Sequence, residues 1–127
     1  MYNNNTKINN LKGNNMKYVL VIDDTPSKVE HLKSQGDDNR DVTFVETFLD
    51  ARREMINNPK KYDRIYLDYD LDGKFKGVDL LEFFVFDNVL KPGCRIIPNS
   101  LSDKFNSEIK KEIVRLKITR RDTLNKN

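Results

Sequence analysis

The segment YVLVI, Tyr18–Ile22, places five aliphatic or aromatic residues in a row with no polar interruption. A strand with one wet face alternates apolar and polar residues. A run without alternation has to be covered on both faces, as in a parallel sheet flanked by helices. Three more short runs fit the same sheet: VTFVE at Val42–Glu46, RIYL at Arg64–Leu67 and RII at Arg95–Ile97. Each is followed by a turn and then by apolar residues at helical spacing.

Thr25 and Pro26 form an N-cap and first-turn pair, predicting a helix through Val29 and Leu32 that ends near Gly36. Thr47 to Asp50 has the form of a capping box, and Ala51, Met55 and Ile56 give the following helix its apolar stripe, ending before Pro59. The acidic segment after Leu67 runs into a loop with Gly73 and Gly77, then a strongly apolar helix over Val78–Leu90, stopped by Pro92 and Gly93. Ser102 or Ser107 caps a last helix in which Phe105, Ile109, Ile113 and Leu116 recur at helical spacing. The order βαβαβαβα predicts an α/β fold, an open parallel sheet of the flavodoxin-like kind with strand order 2-1-3-4. Residues 17–118 form this domain. Residues 1–16, rich in asparagine, are expected to be a disordered leader in which Met16 is a second possible start. Residues 119–127 are expected to be a basic, flexible tail.

A net charge of +3 gives no general argument for nucleic acid, and no recognition motif points to one. Cys94 is the only cysteine, which excludes a disulfide framework and a CxxC metal site. LLEFFVF is too short and too charged to span a bilayer, and the N-terminus lacks the apolar core of a secretory signal. These features point to a cytoplasmic protein with no membrane partner.

The informative residues lie at strand ends. Asp23 and Asp24 end the first strand, and Asp68, Asp70 and Asp72 follow the third. In a sheet of order 2-1-3-4 the first and third strands are neighbours, and ligands bind at their carboxyl ends. Carboxylates gathered at one rim repel one another unless a cation intervenes. Mg²⁺, a hard cation that keeps waters exchangeable for phosphate oxygens, suits Asp23, Asp24 and Asp68, with a carbonyl of Tyr69 or Asp70 completing the shell. Asn99 and Ser100, after the fourth strand, and Lys76, in the loop after the third, are candidate phosphate contacts, and Lys74 is a further loop cation. Asp68 and Asp70 are the candidate catalytic carboxylates.

VIDD before the first helix, IYLD at the third strand, Gly77 and IIPNS at the fourth strand resemble a response-regulator receiver domain over residues 17–117. The resemblance implies that Asp68 accepts a phosphoryl group, that Asp23 and Asp24 hold Mg²⁺, and that the Ser100 hydroxyl responds to phosphate. The lysine-proline pair of a fifth receiver strand has no counterpart in KITRRDTLNKN, so the C-terminal part looks shortened. DDTP, LDYDL, the Lys76–Gly77 turn and NSLS are more similar to the cyclic-phosphate processing receiver domains. Relative to that pattern Tyr69 and Asn99 replace two histidines, and Ser102 stands in place of an asparagine. Tyrosine and asparagine do not move protons near neutral pH as histidine does. The one histidine, His31, is expected on the first helix, away from the rim.

Three readings follow. The first is a Mg²⁺-dependent pocket that binds, and as a metal-dependent phosphoester hydrolase would cleave, a phosphate-containing small molecule such as a cyclic nucleotide. The second is a single-domain receiver phosphorylated at Asp68 by a phosphodonor protein. The third is a receiver without chemistry that acts as an interaction module through Tyr66 and the Phe83–Phe86 segment.

Overall fold

The computed structural model describes residues 16–25, 27, 30, 39–71 and 73–118. The leader up to Asn15, His31, Asp72 and the tail from Thr119 lie outside them, as does most of the helix expected between Thr25 and Gly36. The described elements are β1 (Lys17–Ile22), β2 (Arg40–Val45), α1 (Phe48–Asn57), β3 (Arg64–Leu67), β4 (Asp70–Leu71), β5 (Phe75–Lys76), α2 (Gly77–Phe86), β6 (Arg95–Pro98) and α3 (Asp103–Arg115).

β1, β2, β3 and β6 form one parallel sheet in the order β2-β1-β3-β6, the expected 2-1-3-4 arrangement. The alternation of side chains explains why YVLVI is continuous. Leu20 and Ile22 belong to the main core with Ile65, Leu67, Leu80, Leu81 and Phe84. Val19 and Val21 point to the other face and are buried as completely. Each such side chain contributes about 1.5–3 kcal/mol relative to exposure.

The helices follow their capping chemistry. Thr47 caps α1 by accepting the Asp50 N–H, and Ser102, rather than Ser107, caps α3 by accepting the Phe105 N–H. The buried stripe of α1 is Phe48, Ala51 and Met55, and Ile56 is exposed. The stripe therefore starts one turn earlier than the sequence reading has it. α2 ends at Phe86, not Leu90, because Asn88 takes a left-handed conformation (φ 55°) and the Val89 N–H turns back to the Phe84 carbonyl. The loop after β3 contains a two-residue antiparallel ladder, β4 with β5, pairing Asp70 with Lys76 and Leu71 with Phe75.

Among the described residues β6 pairs only with β3. The N–H groups of Arg95 and Asn99 point to β3, so alternation turns Ile96, Pro98 and Ser100 outward. Pro98 has no N–H, and the Ser100 N–H is held by the Asn106 Oδ1 of α3 at 2.8 Å.

At the opposite end of the sheet, Asp63 accepts the Tyr18 N–H and the Lys91 ammonium. Burial alone would raise its carboxyl, but the Lys91 and Tyr18 hydrogen bonds and the nearby lysine charges hold it below the usual range. Tyr62 is buried and donates its hydroxyl to Glu54. Burial first, and then the Glu54 hydrogen bond, push its phenol up to about 12. A raised phenol favours folding in its protonated form. That contribution is whole below about pH 10 and is lost as pH rises to about 12. Tyr62→Phe should lower stability by about 1 kcal/mol at pH 7 and flatten the alkaline decline, as read by urea unfolding at stepped pH.

Candidate functional site

Parallel register builds the site. Ile22 pairs with Leu67, and Leu67 pairs with Pro98, so Asp23, Asp68 and Asn99 leave the sheet from one row. The Asp68 N–H donates to the Ile22 carbonyl at 3.0 Å and the Asn99 N–H to the Leu67 carbonyl at 2.9 Å, which extends the ladder through both residues. Asp24 follows Asp23 at the mouth.

Carboxylate oxygens of Asp23, Asp24 and Asp68 lie within 4.8 Å of one another. Asp23 is 1% exposed and Asp68 7%, whereas Asp24 is exposed. Like charges at such spacing repel by roughly 1–4 kcal/mol per pair between bulk water and a protein-surface dielectric. Neighbouring donors offset part of this. The Asp23 Oδ1 accepts the Thr25 N–H at 2.8 Å, its Oδ2 accepts the Asn99 Nδ2 at 3.1 Å, and the Asp68 Oδ1 accepts the Tyr69 N–H at 2.9 Å. Among the described residues the donor set is three carboxylates with no nitrogen or sulfur, which fits a hard divalent cation such as Mg²⁺ or Ca²⁺.

The other expected residues fall around this centre in different ways. Asp70 is exposed on β4, outside the three-carboxylate group and opposite Lys76. Ser100 is bound into the start of α3: its Oγ accepts the Ser102 N–H, and its main chain exchanges two hydrogen bonds with the Asn106 side chain. Asn99, expected as a phosphate contact, donates its Nδ2 to Asp23, bridging β6 to β1 across the end of β3. The Tyr69 carbonyl, expected as a metal ligand, accepts the Gly77 N–H. Lys74 is exposed in the β4–β5 turn.

Two features had no clear sequence signal. Tyr69 stacks on Phe105 of α3 at a centroid distance of 4.2 Å and 8° between planes. The Lys76 ammonium lies 5.0 Å from the centroid of the Tyr69 ring. Of the apolar α2 segment, Phe84 is buried and Phe83 half-buried against Phe48 and Arg52, while Val85 and Phe86 are exposed.

No protein-family model and no curated protein significantly matches this chain. Solved structures do. The receiver domain of the Francisella response regulator 1452 is 25% identical, with a TM-score of 0.55, over 84% of this chain and 98% of that one. The signal receiver domain of a Luxo repressor protein from Vibrio parahaemolyticus is 19% identical, with a TM-score of 0.54, over 81% and 94%. A response regulator protein from Burkholderia pseudomallei, solved with a phosphorylated aspartic acid, a calcium ion and citrate, is 20% identical with a TM-score of 0.56. The match takes in 76% of this chain and 55% of that longer protein. The fold is that of a response-regulator receiver domain, and the chain is a receiver-like domain.

Gly77 ties the helix start to the acidic row. A Cβ there would lie 1.9 Å from the Asp68 carbonyl oxygen, which is main chain and has little freedom to retreat. Gly73, at φ +71°, has open space around the same position. Gly77→Ala should therefore displace Asp68 and cost more than about 2 kcal/mol, whereas Gly73→Ala should cost about 1 kcal/mol from backbone strain alone. Thermal unfolding of the two variants side by side checks the contrast.

Proposed function

We propose that Asp23, Asp24 and Asp68 hold a divalent cation, with Mg²⁺ the natural occupant, and that the loaded pocket binds a phosphate-containing ligand. The convergence of the three carboxylates within 4.8 Å carries this reading, because the crowding calls for a counter-charge. A bound divalent cation would supply that charge and take phosphate oxygens in place of water. Ser100, Asn99 and Lys76 are the proposed phosphate contacts from the surrounding loops, with Asn99 also orienting Asp23. In a hydrolytic version, acting on a small molecule such as a cyclic nucleotide, Asp68 and Asp70 are the catalytic carboxylates.

A second reading shares the same pocket. A phosphodonor, protein or small molecule, passes a phosphoryl group to a carboxylate oxygen of Asp68, and the donor leaves without it. The phosphorylated aspartic acid and calcium ion of the Burkholderia protein support this version.

Isothermal titration with Mg²⁺ tests the shared premise. Asp23→Asn and Asp68→Asn should each weaken binding by tenfold or more while circular dichroism stays native. Equal Mg²⁺ affinity in both variants would remove the site. Acetyl phosphate with Mg²⁺ then separates the readings: a phosphoryl-sized mass gain lost in Asp68→Asn supports the acceptor role. Cyclic nucleotides retained intact indicate ligand binding, and their conversion to product indicates hydrolysis.

A further inference from the structure

Three carboxylates with one divalent cation still carry a net negative charge, and a phosphate group brought to them is repelled. A phosphate pocket of this composition needs another positive charge beside it. Lys76 is placed for that role by the fold. It immediately precedes Gly77, whose Cα lies against the Asp68 carbonyl and whose N–H donates to the Tyr69 carbonyl. An unrestrained lysine on a two-residue strand would sample many rotamers, and ordering it on binding costs conformational entropy. Here its ammonium lies over the ring of Tyr69, the residue after Asp68. Phe105 stacks on that ring, nearly parallel to it.

We infer that Tyr69 and Phe105 are positioning residues for Lys76. The order Phe105, Tyr69, Lys76 is an aromatic shelf that holds one ammonium at the rim of the carboxylate row and offers it to an incoming phosphate. The ring does this through its face, so the tyrosine hydroxyl is not required. This inference rests on the phosphate reading of the pocket. It adds that the affinity of the site for phosphate depends on a residue that touches neither the metal nor the phosphate.

Inorganic phosphate in the presence of Mg²⁺ is the probe, followed by titration on the full chain. Lys76→Gln should weaken phosphate binding on the order of tenfold. Tyr69→Leu should weaken it roughly two- to fivefold, in line with a surface cation–π contact. Mg²⁺ affinity should rise modestly in Lys76→Gln, which removes a charge that repels the metal, and should not fall in Tyr69→Leu. Tyr69→Phe should keep wild-type affinity, and Tyr69→Leu should add nothing in the Lys76→Gln background. The Lys76 side-chain protons give a readout without ligand: ring-current shifts present in the wild type and in Tyr69→Phe should vanish in Tyr69→Leu. Phosphate binding lost in Lys76→Gln but intact in Tyr69→Leu overturns the positioning role and leaves the pocket standing. Loss of Mg²⁺ affinity in Tyr69→Leu overturns it as well, since the ring would then support Asp68 itself. Ring-current shifts without any phosphate binding by the wild type overturn the phosphate reading and this inference with it.

Discussion

The parallel pairing of β3 between β1 and β6 is the constraint on which the core and the acidic rim both depend. Ile22, Leu67 and Pro98 are in register, so the residues that follow them leave the sheet side by side. A slip of one residue would send Ile65 and Leu67 to the opposite face of the sheet and misalign Asp68 with Asp23 in the same step. Burial of aliphatic side chains thus fixes the position of the carboxylates. The apolar core supplies the energy that keeps like charges together.

Much of this was legible in the sequence because it depends on local patterns. Short apolar runs marked four strands, of which β1 and β3 carry the buried residues, Thr47 and Ser102 announced helix starts, and the alternation of elements gave the strand order. With the order known, Asp23 and Asp68 fall at one rim by topology alone. What escaped the sequence depends on three-dimensional packing. Ile56 sits beside Met55 in sequence but is exposed, and the stripe is extended at the other end of α1 by Phe48, buried against Phe75 and Phe83. The end of α2 is decided by a left-handed Asn88 that precedes any proline or glycine.

The site shows the same division. Asn99 carries an amide suited equally to a phosphate or a carboxylate, and only the register of β6 puts it within reach of Asp23. Tyr69 reads in sequence as the residue replacing a histidine. In the structure its ring stacks on an aromatic neighbour and lies near a cation. Asn106, inside the first turn of α3, gave no signal at all, yet it holds both main-chain polar groups of Ser100. Side chains that satisfy the backbone of a distant loop have no periodicity to betray them.

That last contact bears on how the molecule behaves in a crowded solution. Among the described residues the sheet stops at β6, a border onto which a stray extended chain would normally add, the first step toward fibrous association. Along this border Pro98 withholds one donor and Asn106 occupies the next, leaving Ile96 as the one outward amide in the strand proper. The border then presents one outward donor, from Ile96, beside the carbonyls of Ile96 and Pro98, a sparser template than an unbroken strand edge. The residues that shape the rim of the acidic pocket therefore also thin out the hydrogen-bonding border of the sheet at β6.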